Sequence, residues 1–346
     1  MKNLLSRWGT AALIAAALVV AGCGSGSNGD TAAGTTGTTG TTGTTGSSGT
    51  PAANSLAGKK VGFSQIGAES AWRTANTQSI KDEAAKRGVD LKFVDAQQKQ
   101  ENQIKAIRSF IAQKVDVIAF SPVVETGWTA VLKEAKDAKI PVVVSDRRPD
   151  VPEDMYVTFI GSDFIAEGQR AGDWLVKKTG GKAVIAEIEG TPGSAPANDR
   201  KKGFDEVIAK NPGMKVVFSQ TGEFTRAKGK EVAEALLKSP QGAQITAIFA
   251  HNDDMALGAI QAIEEAGKKP GKDIIVVSID GIHDGLQAIV DGKLGCSVEC
   301  NPLLGPALFD AIQDTLAGKS LPKRTVMKDD QFDETNAAKA LPTRKY

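Results

Sequence analysis

The chain of 346 residues carries 42 Lys and Arg against 41 Asp and Glu, and no block of basic residues stands out. That balance excludes nucleic acid as a partner, since such a function leaves an electrostatic footprint. The length is enough for two cored domains, and three cysteines are too few for a disulfide scaffold.

Residues 1–22 read as an export signal. Lys2 and Arg7 give a basic start, and the apolar run over 11–21 is too short for a comfortable membrane span. Val20-Ala21-Gly22-Cys23 has the form of a bacterial lipobox, which makes Cys23 the acylated first residue of the mature protein. The expected location is therefore outside the cytoplasm, held to the cell membrane by lipid. A plain secretory signal cleaved nearby is the alternative. Residues 23–57 form a low-complexity tether with Gly-Thr-Thr repeated over 34–46. As a coil it would reach on the order of 30 Å. No proline follows the repeated glycines, so a collagen helix has no support. The GxGxxG over 24–29 lacks the strand and helix that a dinucleotide fingerprint needs.

From residue 58 apolar runs alternate with amphipathic stretches. Strands are expected over 60–64, 91–94, 115–120, 140–144 and 156–160. Helices are expected over 71–87, closed by Gly88, along the face of Ile104, Ile107, Phe110 and Ile111, and over 128–138. A second round follows: a helix through Trp174, strand 183–188, a helix near 204–208, strand 215–218, and a helix around 232–237. Then come the stretch 245–267 and strand 273–279. Segment 295–328 holds a strand, a helix over 306–316 and a further strand that crosses back to the first lobe. Such alternation specifies an α/β fold of two Rossmann-like lobes with parallel sheets. The expected division is 58–162 with 301–328, and 163–300 with 329–346.

The stretch 245–267 organises the candidate site. Its apolar run stops at Asn252-Asp253-Asp254, and Ala256, Ala259, Ile260 and Ile263 then mark one helix face. Asn252 or Asp253 is placed to cap that helix. Two other strand-like runs end likewise, in Asp146-Arg147 and in Asp280-Gly281. Open α/β sheets bind ligands outside the carboxyl ends of their strands. Three such ends point to one polar site; mutual pairing of Asp146 with Arg147 is the structural alternative. Trp72, followed at once by Arg73, is placed either to cover the apolar face of a sugar or to staple the first helix. Trp128 and Trp174 are expected in the core.

Enzyme signatures fail in turn. There is no G-x-S-x-G elbow, and Gly318-Lys319-Ser320 lacks the first P-loop glycine, Gln313 standing in its place. With only His251 and His283, no zinc cluster suggests itself. His251 is expected in a surface or packing role. No catalytic residue, metal or cofactor is expected. Cys296 and Cys300 would lie about 13 Å apart on a strand, which favours free or buried thiols; a sharp turn, and export to an oxidising compartment, would favour a bridge.

Longer runs carry a resemblance: VGFSQIGAESAWR (61–73), QQKQENQIKAIRSFIAQ (97–113), SPVVETGW (121–128), LKEAKDAKIPV (132–142), DRKKGF (199–204), FTRAKGKEV (224–232) and HNDDMALGAIQAIEEAGKKPGKDI (251–274). Across 59–328 the chain resembles the ribose-binding-type solute-binding proteins of sugar ABC importers, nearest their galactofuranose-binding branch. The resemblance implies two lobes joined by three crossovers (periplasmic binding protein type I), with a monosaccharide, galactofuranose-like, held between them. It implies a permease and its ATPase as partners, and a monomer. It carries over Trp72, Arg73, Asp146 and Arg147 from one lobe as ligand-binding residues, and Arg200, Asn252 and Asp280 from the other. Ser70, Ser121 and Phe224 match positions that line the cleft. Cys300 stands where ribose binders have glutamine, which speaks against ribose, and two prolines in the 191–199 loop are expected to reshape the cleft edge. The implied mechanism is a hinged clamp that closes on ligand. The competing class is a sugar sensor or chemoreceptor subunit of the same fold. A DNA-binding regulator would need a helix-turn-helix where this chain has a lipobox.

Overall fold

The computed structural model describes residues 56–346. The expected signal segment, the lipidated Cys23 and the tether up to residue 55 lie outside them. Leu56 corrects the tether's expected end at residue 57. It is fully buried in a core with Val61 and Phe63, and its carbonyl accepts from the Lys59 N–H at 3.0 Å.

The first elements are β1 (Lys60–Gln65), α1 (Ala71–Lys86), β2 (Asp90–Asp95), α2 (Gln100–Ala112), β3 (Val117–Phe120), α3 (Thr129–Asp137), β4 (Val142–Ser145) and β5 (Thr158–Gly161). Next come α4 (Phe164–Thr179), β6 (Ala183–Glu189), α5 (Ala195–Ile208), β7 (Met214–Thr221), α6 (Arg226–Lys238), β8 (Ala247–Ala250), α7 (Asp253–Glu265), β9 (Ile275–Asp280), α8 (His283–Val290) and β10 (Cys296–Glu299). The last described are α9 (Gly305–Leu316), β11 (Arg324–Val326), β12 (Gln331–Asp333) and α10 (Ala337–Ala340).

These strands form two sheets, ordered β2-β1-β3-β4-β5-β11 and β7-β6-β8-β9-β10-β12. Each runs first strand beside second and third, then fourth and fifth, so the chain repeats one doubly wound topology. All pairings are parallel except β10 with β12. The chain passes between the sheets after β5, after β10 and after β11.

The central strands are short apolar runs, as parallel strands covered on both faces should be. Alternate residues face opposite ways. In β3 and β4, Val117, Ala119 and Val143 join Phe309 and Ile312 of α9. Ile118, Phe120, Val142 and Val144 join Phe110 of α2 and the fully buried Trp128. The second sheet divides similarly: Ile248 and Val276 face one core, Phe249 and Val277 the other, with Trp174 in the latter.

One sequence expectation is corrected here. The 191–199 stretch is not a loop throughout, because α5 begins at Ala195 with Pro196 in its first turn. Proline is tolerated there, where its missing N–H has no helical partner to lose. α8, β12 and α10 had no expected counterpart; they are short, and their apolar residues do not make a long period.

Candidate ligand-binding cleft

The carboxyl ends of both sheets border one small cavity. The first sheet's contribution starts at Ser70, which caps α1 by accepting the Arg73 N–H at 3.1 Å. That cap directs Trp72 and Arg73 into the cleft. Arg73 is buried and fully engaged: Nε to Glu69 Oε1 at 3.0 Å, Nη2 to Asp146 Oδ2 at 2.7 Å. Burial opposes its charge, but Asp146 and Glu69 outweigh that and hold its pKa above the usual arginine value. Asp146 follows β4 with φ 63° and also accepts from Ser121 Oγ at 3.0 Å. Ser121 therefore stands behind Asp146 and is not among the lining residues. Arg147 donates Nη1 to the Val123 carbonyl at 2.9 Å and lies 5.2 Å from the Phe224 ring centre. Its Nε is buried without a partner. Burial, together with Arg73, pushes its pKa down to about 10. Asp146 and Arg147 are 4.0 Å apart, a weak contact beside the Arg73 bridge, so their mutual pairing is not what organises this wall.

The second sheet's contribution centres on Arg200. α4 and α5 touch through glycines: a Cβ on Gly168 would collide with the Arg200 carbonyl, and one on Gly203 with the Ile165 carbonyl. That approach brings Arg200 Nε to Glu167 Oε2 at 2.7 Å, while Nη1 donates to the His251 carbonyl at 2.7 Å. Burial pushes Glu167 up to about 7 despite Arg200. Asn252 is the cap of α7. Its Oδ1 accepts from Met255 N at 3.0 Å, and its Nδ2 donates to the Phe224 carbonyl at 3.1 Å. Asp280 ends β9 with φ 127°, only 3.8 Å from Arg200 through Oδ1, and its Oδ2 is buried with no partner. Burial holds its carboxyl well above the usual range, opposed by Arg200 and reinforced by Asp253, Asp254 and Glu167.

Trp72 packs into the core of the second sheet, donates Nε1 to the Cys300 carbonyl at 2.5 Å, and lines the cavity. Cys300 lines it too, with its thiol pushed far up by burial and by Glu167. Cys296 and Cys300 are both free and buried. His251 is fully buried, not at the surface. Its Nδ1 accepts from Gly190 N at 3.3 Å, leaving Nε2 to donate to Glu187 at 3.0 Å. It holds the carbonyl that grips Arg200.

The two halves meet on either side of the cavity. Ala71 N donates to Asp254 Oδ2 at 2.7 Å. Elsewhere Glu125 N donates to the Gly193 carbonyl at 2.9 Å, Asn198 Nδ2 to Glu125 Oε2 at 2.6 Å, and Arg148 reaches Asp199 at 3.4 Å.

Sequence reasoning missed Glu69 and Glu167; Pro196, one of the two prolines expected to reshape the cleft edge, lines the cavity. Only Glu69 left a signal, its i, i+4 spacing to Arg73. Of the eight non-glycine residues at positive φ among the described residues, Asp146, Phe224 and Asp280 line the cavity. Strain of this kind gathers at functional sites.

A family model for the periplasmic binding protein domain matches residues 61–320. The chain belongs to that family. It is 50% identical over 289 residues to the galactofuranose-binding protein YtfQ of Escherichia coli, covering 82% of this chain and 91% of that one. A Mycobacterium smegmatis structure in complex with β-D-fucofuranose is 57% identical, with a TM-score of 0.81 over 83% of this chain and 95% of that one. The periplasmic binding protein of the arabinose ABC transporter of Shewanella sp. ANA-3, bound to α- and β-L-arabinofuranose, is 55% identical. Its TM-score is 0.80 over 83% of this chain and 96% of that one. The fold is that of type I periplasmic binding proteins.

Proposed function

We propose that this chain captures a neutral monosaccharide in its furanose form outside the cytoplasm and delivers it to an ABC permease with its ATPase. The observation that carries this is a buried lining of opposed guanidinium and carboxyl groups. Arg73, Arg147 and Arg200 face Glu69, Asp146 and Asp280 in one small cavity. Such a set of buried donors and acceptors suits hydroxyls, to which charged groups make the stronger hydrogen bonds. Asp280 Oδ2 and Arg147 Nε have hydrogen-bonding capacity that no protein group uses. Trp72 and Phe224 supply apolar surface for the ring face. The furanoses bound by the two similar structures support the ring form, and galactofuranose is the leading candidate from the Escherichia coli relative.

The site residues act as ligand contacts from two lobes, 58–162 with 301–328 and 163–300 with 329–346. Ligand touching both favours the closed state by a population shift. The protein is a binder without catalysis: Arg73 is held by Asp146 and Arg200 by Glu167, and burial pushes the Cys300 thiol pKa far up. Cys23 anchors the mature chain, a monomer, to the membrane; the anchor is inferred from the lipobox. Among the described residues no helix is long and apolar enough to cross a membrane. Calorimetric titration with D-galactose, D-fucose, L-arabinose, D-ribose and D-glucose tests the proposal. Tight binding is expected for sugars that populate the matching furanose, and no heat with any of them would overturn it.

A further inference from the structure

Asp280 holds its carboxylate in the cleft from a backbone that aspartate adopts only under constraint. Its φ is 127°, and Gly281 follows at 70°. Such conformations persist where the surroundings over-determine them. Here the constraint comes from groups outside the cavity lining. The Gly281 N–H donates to Ser297 Oγ at 2.9 Å, and the Gly281 carbonyl accepts from Arg344 Nε at 2.5 Å. Both sides of that glycine are therefore pinned, and a Cβ on it would meet Arg344 Nη2 at 2.5 Å.

Arg344 is itself firmly held. Its Nη1 reaches Glu299 Oε1 at 2.6 Å, and its guanidinium lies 4.4 Å from the Phe332 ring centre and 4.5 Å from that of Tyr346. Tyr346 donates its hydroxyl to the same Glu299 oxygen at 2.6 Å, and its carbonyl accepts the His283 N–H at 2.5 Å. Glu299 Oε2 accepts from Asp330 N at 2.7 Å. Residues 344–346 thus strap the turn that follows the cleft carboxylate.

We propose that Arg344 is a positioning residue for sugar binding, fixing Asp280 through the Gly281 carbonyl. The inference rests on the sugar-binding function proposed above. Arg344 touches no ligand, and its effect passes through one contact residue. A purely structural arginine would weaken the whole protein; a positioning one would weaken binding only while Asp280 is there to be positioned.

A double-mutant cycle separates the two. The full chain, Arg344→Ala, Asp280→Asn and the double variant are titrated with whichever of D-galactose, D-fucose and L-arabinose the unaltered protein binds most tightly. Arg344→Ala is expected to weaken binding at least tenfold in the parent, mainly through faster dissociation, and less than twofold in the Asp280→Asn background. Arg344→Lys, which keeps the charge but not the fork, is expected to fall between. Should Arg344→Ala not fold, Tyr346→Phe takes its place, with about a threefold loss expected in the parent alone. Equal losses in both backgrounds, or affinity within twofold of the parent, would overturn the positioning role alone. No binding by the unaltered protein would overturn the sugar reading and this inference with it.

Discussion

The two walls of the cleft are built alike and finished differently. Each sheet offers an arginine from the helix after its first strand and an aspartate from the end of its fourth. On one wall these are Arg73 and Asp146, on the other Arg200 and Asp280. Arg73 and Asp146 close a 2.7 Å bridge, with Glu69 and Ser121 completing the set. Arg200 turns instead to Glu167 and the His251 carbonyl, standing 3.8 Å from Asp280 and leaving one of its oxygens unpartnered. On the first wall the Arg73–Asp146 bridge is complete, and the unused capacity lies beside it on Arg147 Nε and Glu69 Oε2. On the second the reserve lies on the aspartate itself, at Asp280 Oδ2. Internal duplication of topology thus gives matching scaffolds, while the pairing of the arginine decides which aspartate is free to bind.

Substitutions should break this symmetry unequally. Asp280→Asn is expected to weaken sugar binding by about 100-fold, in the ~2–5 kcal/mol range for truncating a buried charged contact. Chemical denaturation should show its stability unchanged or raised, because a buried, poorly paired carboxylate is removed. Asp146→Asn should instead lower stability, by about 1.5–3 kcal/mol, because it leaves the Arg73 charge with Glu69 as its remaining carboxylate partner. Gly203→Ala drives the Ile165 carbonyl off α5 and moves Arg200 away from the cleft. A loss of about 1–3 kcal/mol in stability is expected, with weaker binding alongside. The smallest effect belongs to the contacts between the halves. Glu125→Gln weakens the Asn198 hydrogen bond across the halves and, within the first half, a partly exposed pair with Arg148, together worth about 0.2–1 kcal/mol, and should loosen binding only a few-fold.

Two carboxylates of the second wall should differ in their response to pH. Glu167 is raised to about 7 in the folded protein, so the folded state keeps a proton that the unfolded chain has already released. Relative to Glu167→Gln, the protein should lose stability as pH rises from the ordinary carboxylate range through about 7. Glu187, behind the same wall, is lowered to about 2: burial opposes this, and His251 and Lys201 overcome it. Its contribution is present above the ordinary carboxylate range and is lost as pH falls toward 2. Urea titrations of Glu167→Gln and Glu187→Gln against the parent, at several pH values, check the two opposite slopes.

Much of this was legible in the sequence, for a definable reason. Strand ends in a doubly wound sheet fall where apolar runs stop, so Asp146, Asn252 and Asp280 could be read from the runs alone. Trp72 and Arg73 followed from their place just after the first strand. Their partners were hidden. Glu167 sits in an ordinary helical pattern, and only the approach allowed by Gly168 and Gly203 gives it to Arg200. Ser121 looked equivalent to Ser70, yet register places it behind Asp146. The early start of α5 was masked by a proline that suits a first helical turn as well as a loop. Contacts between segments distant in sequence leave no local period, and those were the ones missed.

The central claim is that both walls grip one neutral furanose. It is tested most directly by carbon NMR of sugar labelled at the anomeric carbon, D-galactose first, bound to a slight excess of protein. The account predicts a bound resonance in the furanose region, far enriched over the small furanose fraction in free solution, and lost in Asp280→Asn. A bound resonance in the pyranose region, unchanged by that substitution, would contradict it.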